Sequence, residues 1–212
     1  MKKVLAIDTS TATGRIAIAA GETVIFASEF TSQRSHNSQI FAPLETALDC
    51  CGRELDLIAV GTGPGSYTGV RIGIASGIAS AMALGLPVVG IPSACAAAAA
   101  AQASEYTLIG DARRGAAFLA EVKGHQLQGK PELIEDEQLS ARLEKHERCL
   151  FSFDEKAFPG SIETQPSASR IAELAACLDE GELKRLQAIA PQPIYLRAPF
   201  VTAPRKPGKA VR

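Results

Sequence analysis

The sequence predicts an α/β protein with two related lobes, of which the second has the weaker pattern. Two stretches, residues 4–19 and 106–122, carry this prediction, because each reads as an apolar strand, an aspartate, a tight turn, a glycine and a second strand. Asp8 and Asp111 stand at the matching turns. We therefore expect an N-terminal lobe over residues 1–103, a C-terminal lobe over residues 104–197, and a disordered, basic, proline-rich tail over residues 198–212.

Composition and charge limit the classes of function. The chain has 212 residues, a hydrophobic fraction of 46% and a formal net charge of −1, so no overall basic field attracts nucleic acid. Its 5 cysteines include no C-x-x-C pair, which favours reduced thiols in the cytoplasm. Met1 and the two lysines after it lead straight into an apolar strand, so we expect no signal peptide.

The N-terminal lobe should begin with a three-stranded meander. Apolar runs at residues 4–7, 15–19 and 24–30 are separated by turns, and a helix with Ile40 and Leu44 on one stripe follows. Thr68 is the expected N-cap of the second helix. The predicted order of the whole lobe is β-β-β-α-β-α-β-α. After the three strands of the meander, this order consists of a helix at 35–51, a strand at 57–60, a glycine loop at 61–69, a helix at 68–85, a strand at 86–91 and an alanine-rich helix at 93–103.

The predicted helix over residues 68–85 has glycine at every fourth position, at Gly69, Gly73 and Gly77. Each interior glycine costs about 1 kcal/mol relative to alanine, so close approach of another backbone must offset the row. That backbone is either the sheet of the same lobe or a helix of a partner chain, and both interpretations stay open. A membrane span over residues 72–91 is rejected, because a glycine and a proline interrupt it and no basic cluster flanks it.

The C-terminal lobe starts with a strand at residues 107–110 and a second strand at 117–122. The remaining expectations are a strand or loop at 127–135, a short helix at 136–145, a strand at 149–152, an amphipathic helix at 167–180 and a proline-bounded apolar segment at 191–197.

No complete catalytic or metal-binding motif is present in the sequence. The glycine loop lacks the Gly-Lys-Ser/Thr ending of a P-loop and the spacing of a dinucleotide loop, and Ser66 does not stand in G-x-S-x-G. The 3 histidines have no metal-ligand spacing. We therefore assign no catalytic residue and no metal ligand.

Asp8 and Asp111 remain as candidate cofactor-binding residues. Carboxylates at strand ends that face a cleft between lobes can hold Mg²⁺ and a phosphate, and Ser10 and Arg113 stand beside them. The alternative is that each aspartate caps its own turn and that Arg113 and Arg114 form a solvated pair. The sequence leaves both interpretations open.

The repeated halves resemble the superfamily of actin, sugar kinases and heat-shock ATPases, known as ASKHA proteins with a ribonuclease H-like fold. More narrowly, the chain resembles the TsaB family, also called YeaZ. Four stretches carry this resemblance in the right order over nearly the whole chain, and the second, which contains the glycine loop, is the most specific; they are residues 6–11, 63–73, 111–114 and 193–197.

This resemblance implies a two-lobed actin-like fold with a degenerate second lobe. It also implies a bacterial cytoplasmic protein that serves formation of threonylcarbamoyladenosine next to the anticodon of tRNA. In that family a paralogue, TsaD, carries the metal-binding histidine pair and the catalysis, and TsaE is an ATPase. The chain would then be a non-catalytic partner and activator of TsaD, one subunit of the tRNA N6-adenosine threonylcarbamoyltransferase complex.

Further implications concern cofactors and partners. The resemblance implies no tightly bound cofactor in the chain itself, with ATP or ADP and Mg²⁺ considered only at the interface of the complex. It implies a heterodimer with TsaD, a homodimer when alone, TsaE as a further partner, and tRNA reached through the complex. The family's contact uses the first two helices, and the implied interface residues are Ile40, Leu44, Gly69, Arg71, Gly73, Ile74, Gly77, Ile78 and Met82.

Two other classes of function stay open at this stage. One is a small ATP-dependent phosphotransferase that uses Asp8 and Asp111. The other is a glycoprotease-like metallopeptidase, which the missing histidine pair disfavours.

Overall fold

Two sheets, each with a central strand that ends in an aspartate, form the frame of the molecule. The computed structural model describes residues 1–31, 39–52, 54–154 and 158–197. The predicted tail at 198–212 and His36 lie outside the described residues. The predicted helix at 35–51 lies partly outside them, because its first residues are not described.

The first sheet has the strand order β3-β2-β1-β4-β5. Antiparallel pairing joins β1 to β2 and β2 to β3, whereas β4 lies parallel to both β1 and β5. The central strands β1 and β4 are apolar along nearly their whole length because both of their faces are covered. The strands are β1 Lys3–Asp8, β2 Thr13–Ala20, β3 Thr23–Thr31, β4 Leu57–Gly61 and β5 Val88–Ile91.

The second sheet has the order β11-β10-β6-β7-β8, and β9 also pairs with β7. The β6–β7 pair is antiparallel, and β10 lies parallel to β6 and to β11. Its strands are β6 Glu105–Asp111, β7 Ala116–Lys123, β8 Gln126–Leu127, β9 Glu132–Glu135, β10 Leu150–Ser152 and β11 Ser161–Glu163.

Strands β1 and β6 occupy equivalent positions in their sheets. Each pairs antiparallel with the next strand of the chain, and on its other side each pairs parallel with a later strand. Val4 lies opposite Leu57 in the first sheet, and Thr107 lies opposite Leu150 in the second. The prediction of two halves with matching hairpins at Asp8 and Asp111 is confirmed.

Five α-helices are present among the described residues: α1 Phe41–Cys50, α2 Tyr67–Leu84, α3 Asp136–Leu143, α4 Ala168–Ala176 and α5 Glu180–Gln187. Helices α1 and α2 cover one face of the first sheet, with Leu44 and Ile74 in a core shared with Leu5 and Ile58. Helices α4 and α5 follow the second sheet in sequence, yet they cover the other face of the first sheet. Helix α3 packs against the second sheet.

The glycine row of α2 faces the sheet of its own chain. A Cβ atom at Gly69 would collide with the carbonyl oxygen of Thr9, and one at Gly77 would collide with the Val60 side chain. The interpretation that the row admits a partner helix is therefore wrong, and close packing on β1 and β4 explains it. Ser66, rather than Thr68, is the N-cap of α2, because its Oγ accepts a hydrogen bond from the Gly69 N–H at 3.1 Å.

The alanine-rich segment after β5 is not a regular α-helix. Two 3₁₀ turns, Ser93–Ala96 and Ala98–Ala100, are separated by Ala97 in an extended conformation. The backbone groups of this segment bond to residues 164–167 instead, for example Ala98 N–H to the Gln165 carbonyl at 2.9 Å. Tertiary hydrogen bonds thus override the high helix propensity of alanine.

The amphipathic helix predicted over residues 167–180 ends early, at Ala176. A separate helix, α5, follows, and Asp179 and Glu182 form a capping box at its start. Among the helices that the structure describes, none combines the length and the apolar composition that a membrane crossing needs. Residues 72–91 belong instead to α2, the turn after it and β5.

Candidate functional site

Asp8 lies completely buried at the end of β1, and its carboxylate is bonded within the chain. Oδ1 accepts hydrogen bonds from the Ser10 N–H at 2.9 Å and from the Ser10 hydroxyl at 2.7 Å. Oδ2 accepts one from the Ser93 hydroxyl at 2.6 Å. Gly61 of β4 lies so close that a Cβ atom there would collide with Oδ2. The carboxylate therefore holds its own turn and joins it to the segment after β5.

The glycine loop is bonded to the same turn. The Ser93 hydroxyl, which donates to Asp8, accepts a hydrogen bond from the Gly63 N–H at 3.0 Å. The Ser66 N–H donates to the Ser10 carbonyl at 2.7 Å, and the Thr9 hydroxyl donates to the Gly69 carbonyl at 2.7 Å. Loop N–H groups that would cradle a phosphate in a nucleotide site are thus used inside the protein.

Asp111 holds a turn of the same kind in the second half. Its Oδ1 accepts from the Arg113 N–H at 2.7 Å, as Asp8 accepts from Ser10, and its Oδ2 pairs with the Arg113 guanidinium at 2.9 Å. The Asp154 carboxylate accepts a hydrogen bond from the Asp111 N–H at 2.6 Å. Both aspartates form the Asx turn that was one of the two sequence interpretations. Within the described residues, no group of three or more His, Cys, Asp or Glu side chains is arranged to hold a metal ion.

The second half lacks an equivalent of the glycine loop and α2. In the first half these elements connect β4 to β5, and α2 alone has 18 residues. In the second half β10 and β11 are joined by residues 153–160, a connection too short for such a helix. The part of this connection that the structure describes contains no helix. The two halves therefore differ at the place where the first half keeps its loop–helix unit.

The residues of the predicted partner interface divide into buried and exposed groups. Arg71 and Met82 are exposed, Met82 by 80%, and Ile78 is half-buried. Ile74 is only 6% exposed. The residues that lie buried within this chain are Ile40, Leu44, Gly69, Gly73, Ile74 and Gly77.

Another row of α2 residues faces solvent, and we call it the outer row: Tyr67, Arg71, Ala75, Ala79 and Met82. Arg71 is the only charged residue of the helix. Its guanidinium lies 5.3 Å from the centroid of the Tyr67 ring and donates a hydrogen bond to the Tyr67 hydroxyl at 2.8 Å. Phe41 at the start of α1 is also exposed. The outer row thus presents an apolar surface with a single positive charge near one end.

Residues 191–197, which we call the C-terminal strap, lie across the glycine loop. The Ile194 N–H donates to the Thr62 carbonyl at 2.9 Å. The Tyr195 ring lies 5.6 Å from the Tyr67 ring, measured between centroids. At the end of the strap, Arg197 is 3.6 Å from the Glu135 carboxylate of β9. The strap therefore contacts the glycine loop, the first turn of α2 and the second sheet.

Sequence reasoning missed Arg15, which lies beside a cleft of about 280 Å³ between β2, β3 and the start of α4. The Arg15 side chain is nearly buried, and its guanidinium donates to the Glu29 carboxylate at 2.9 Å, the Thr13 carbonyl at 3.0 Å and the Gln165 amide oxygen at 3.2 Å. A lone arginine within an apolar strand was the available signal. Arg15 ties the first sheet to the segment that leads into α4.

Large pKa shifts occur away from the aspartate turns. Burial raises the pKa of the Cys95 thiol to about 12, so this cysteine stays protonated and unreactive. Burial also raises the pKa of Tyr106, whose hydroxyl donates to the Ala94 carbonyl at 2.6 Å. Desolvation and the nearby Arg170 lower the pKa of His125. Cys95 and Tyr106 stabilise the packing between the 3₁₀ turns and the second sheet.

The fold is that of known structures, and it defines the class of protein. A crystal structure from Pseudomonas aeruginosa described as an uncharacterized protein with similarity to peptidase YEAZ matches with a TM-score of 0.71 and 23% identity, over 93% of this chain and 100% of the other. A second structure, YeaZ from Pseudomonas aeruginosa, matches with a TM-score of 0.68 and 23% identity, over 92% and 100% of the two chains. The class is an α/β protein with the fold of these YeaZ structures, built on two sheets of which the second half is reduced.

Sequence comparison narrows this class. A family model described as TsaD: tRNA N6-adenosine threonylcarbamoyltransferase matches residues 25–150. The tRNA threonylcarbamoyladenosine biosynthesis protein TsaB of Haemophilus influenzae is 29% identical over 97% of this chain and 97% of that protein. The proteins of the same name from Escherichia coli and Bacillus subtilis are 37% and 34% identical, over 56% and 54% of this chain and 54% and 52% of those proteins. The chain therefore belongs to the family that this model describes. Its similarity to the three TsaB proteins supports the TsaB (YeaZ) assignment that its motifs predicted.

Proposed function

We propose that the chain is a non-catalytic partner and activator of a TsaD subunit in the formation of threonylcarbamoyladenosine next to the anticodon of tRNA. On this proposal it is one subunit of the tRNA N6-adenosine threonylcarbamoyltransferase complex and has no transferase or ATPase activity of its own. The names of its relatives from three bacteria, all called tRNA threonylcarbamoyladenosine biosynthesis protein TsaB, support the pathway.

The state of Asp8 is the observation that carries the non-catalytic part of the proposal. A catalytic or cofactor-binding carboxylate must reach substrate or metal, whereas this one is fully buried and accepts three hydrogen bonds from its own chain. A phosphate at this turn would have to displace the glycine loop, whose N–H groups bond to Ser93 and to the Ser10 carbonyl. The short connection between β10 and β11 removes the matching unit from the second half.

The exposed surface of α1 and α2 supports the partner role. Phe41, Tyr67 and Met82 are each more than half exposed, and Arg71 is the only charge on α2. A standard interface buries about 1,600 Å² in total, an area that two helices on each side can supply. An apolar surface of this kind rarely stays uncovered, so the chain forms homodimers when TsaD is absent, and the two assemblies compete.

Further partners join through this complex. TsaE and tRNA bind the assembled subunits rather than the isolated chain, and ATP or ADP with Mg²⁺ binds at the subunit interface. In the isolated chain we assign no nucleotide contact to the four candidate cofactor-binding residues, because their polar groups bond to one another or to neighbouring turns. These residues are Asp8, Ser10, Asp111 and Arg113. The proposed location is the cytoplasm, where tRNA is modified.

A mixing experiment tests this function. The purified chain, a TsaD subunit and their mixture are compared by size exclusion and by transfer of the threonylcarbamoyl group to tRNA. We expect a joint peak, no transfer by the chain alone, and transfer stimulated by the mixture. A variant Met82→Arg should lose the joint peak, since it places a charge on the apolar outer row near the end of α2. Arg185→Glu on the exposed side of α5 should behave as the unaltered chain.

An ATPase assay of the isolated chain separates this proposal from the phosphotransferase alternative. ATP hydrolysis by the isolated chain that Asp8→Asn abolishes without unfolding would overturn the proposal in favour of a phosphotransferase. Ile74→Arg is unsuitable as an interface variant, since the Ile74 side chain belongs to the core and its replacement would test folding.

A further inference from the structure

Two exposed tyrosines and one arginine form a cluster where α2 begins: Tyr67, Arg71 and Tyr195. The two rings are tilted by 40° with centroids 5.6 Å apart, and Arg71 lies over the Tyr67 ring. Tyr67 is 54% exposed and Tyr195 is 45% exposed. Tyrosine and arginine are among the residue types most enriched in the small group of interface residues that contribute most of the binding free energy.

The cluster is composed of two distant parts of the chain. Tyr67 and Arg71 belong to the first turns of α2, whereas Tyr195 belongs to the C-terminal strap. The strap is held in place by the bond from the Ile194 N–H to the Thr62 carbonyl, by the packing of Pro191 near Gly90, and by the contact of Leu196 with the core of the second sheet. Tyr195 is therefore presented at a defined position beside the outer row.

The charge of the cluster indicates what it binds. None of the ion pairs among the described residues includes Arg71, and the first turn of α2 has no acidic residue. The N-terminal end of an α-helix carries a partial positive charge, which adds to that of the guanidinium. A ligand at this position should therefore bring a carboxylate, and it should bring apolar atoms for the two rings.

We propose that Tyr67, Arg71 and Tyr195 are the specificity-determining centre of the partner surface, and that the bound protein segment places an Asp or Glu side chain against the Arg71 guanidinium. This inference rests on the proposed function, since it takes the partner to be a TsaD subunit. It extends the interface beyond the helices onto the C-terminal strap. The partner thereby contacts a surface that forms only when the C-terminal strap is folded against the start of α2.

The observations favour a protein segment over RNA. Single-stranded RNA also stacks on tyrosine, but its binding depends on several cations that neutralise phosphates. The outer row provides one cation over 18 residues of helix, and its next exposed side chains are Ala75, Ala79 and Met82. Small side chains beside an aromatic pair allow close approach of a second helix or an extended segment.

The test uses the full chain and a TsaD subunit, with the dissociation constant measured by calorimetry at two salt concentrations. Tyr195→Ala should weaken binding at least tenfold, and Tyr195→Phe should bind within about twofold of the unaltered chain, because the ring rather than the hydroxyl makes the contact. Arg71→Glu should weaken binding at least tenfold, and Arg71→Gln should bind with a smaller dependence on salt than the unaltered chain, since one ion pair is lost. Arg185→Glu is the matched charge control.

The outcomes distinguish this inference from the proposed function. If Tyr195→Ala and Arg71→Glu remain folded by circular dichroism and bind TsaD as the unaltered chain does, the inference is overturned and the proposed function stands. If the unaltered chain itself does not bind TsaD, the proposed function fails, and with it the inference. If the two variants keep TsaD binding but lose retention of tRNA in a gel shift, the cluster is an RNA-stacking surface and the inference is overturned.

Discussion

Asp8 illustrates how a residue with catalytic potential can serve as an internal anchor. No ion pair among the described residues includes this buried carboxylate, and three hydrogen bonds from Ser10 and Ser93 compensate for the loss of water. Hydrogen bonds to a charged acceptor contribute about 1.5–3 kcal/mol each, more than neutral ones. The same atoms hold the turn after β1 and the segment after β5 together, so their effect on stability extends beyond one turn.

Replacing Asp8 by asparagine tests this role. Asn has the same shape but is neutral, and its amide nitrogen would have to face hydrogen-bond donors at one of the two oxygen positions. We expect a loss of about 1–3 kcal/mol in the free energy of unfolding, measured by urea denaturation. Asp49→Asn on the exposed side of α1 should change this free energy by less than about 0.5 kcal/mol. Stimulation of TsaD per folded molecule should stay unchanged, and its loss in a folded Asp8→Asn variant would contradict a purely structural role.

At the scale of elements, the sequence predicted the strands of the first sheet and helix α2 correctly. The strands of the first sheet follow from short apolar runs separated by turn residues, because β1 and β4 are covered on both faces. Helix α5 was missed because it is short and mostly polar: its only large apolar residues are Leu183 and Leu186, and none of its residues is buried. Its capping box, with Asp179 three residues before Glu182, was the available signal.

The sequence could not show whether the glycine row faces the sheet of its own chain or a partner chain. A row of glycines indicates close approach of another backbone, but the same pattern serves a sheet below the helix or a partner beside it. Similarly, Ser93 and Asp8 are far apart in sequence, so their hydrogen bond of 2.6 Å could not be predicted from local patterns. The turn at Asp8 was predictable, and the residues that close over it were not.

The packing of α2 gives a prediction for the glycine row. Gly77→Ala would raise the helix propensity by about 1 kcal/mol, but the new methyl group would collide with Val60 in β4, and overpacking of a core costs about 1–3 kcal/mol. We expect a net loss of stability in urea denaturation. Gly181→Ala in α5, where the nearest atom is the side-chain oxygen of Asp179 at 3.2 Å, should be neutral or stabilising. Equal stabilisation by both variants would show that the row does not face the sheet.

For the molecule as a whole, the distribution of the helices limits how independent the two predicted lobes are. Helices α4 and α5 follow the second sheet but cover Val4 and Leu57 of the first. Arg15 bonds across to Gln165, and the C-terminal strap returns to the glycine loop. The repeat in the sequence predicted two related halves with matching hairpins, the second half being the weaker, because a local pattern of strands and turns indicates the order of strands. It could not show which sheet a later helix covers, because that depends on contacts between distant residues.

This arrangement leads to a prediction about the division of the chain at residue 103. A fragment of residues 1–103 would expose the face of the first sheet that Ile171 and Ala172 cover in the full chain, and both of these side chains are fully buried. Burial of an aliphatic side chain such as Ile171 contributes about 1.5–3 kcal/mol, and most small domains are only about 5–15 kcal/mol more stable than the unfolded chain. We therefore expect the fragment not to fold cooperatively, and the full chain to unfold in one transition by calorimetry. Truncation after Arg197 is the matched control and should keep that single transition, because it leaves α4, α5 and the C-terminal strap intact. A cooperative thermal transition of the 1–103 fragment would instead show that the N-terminal lobe is an independent domain.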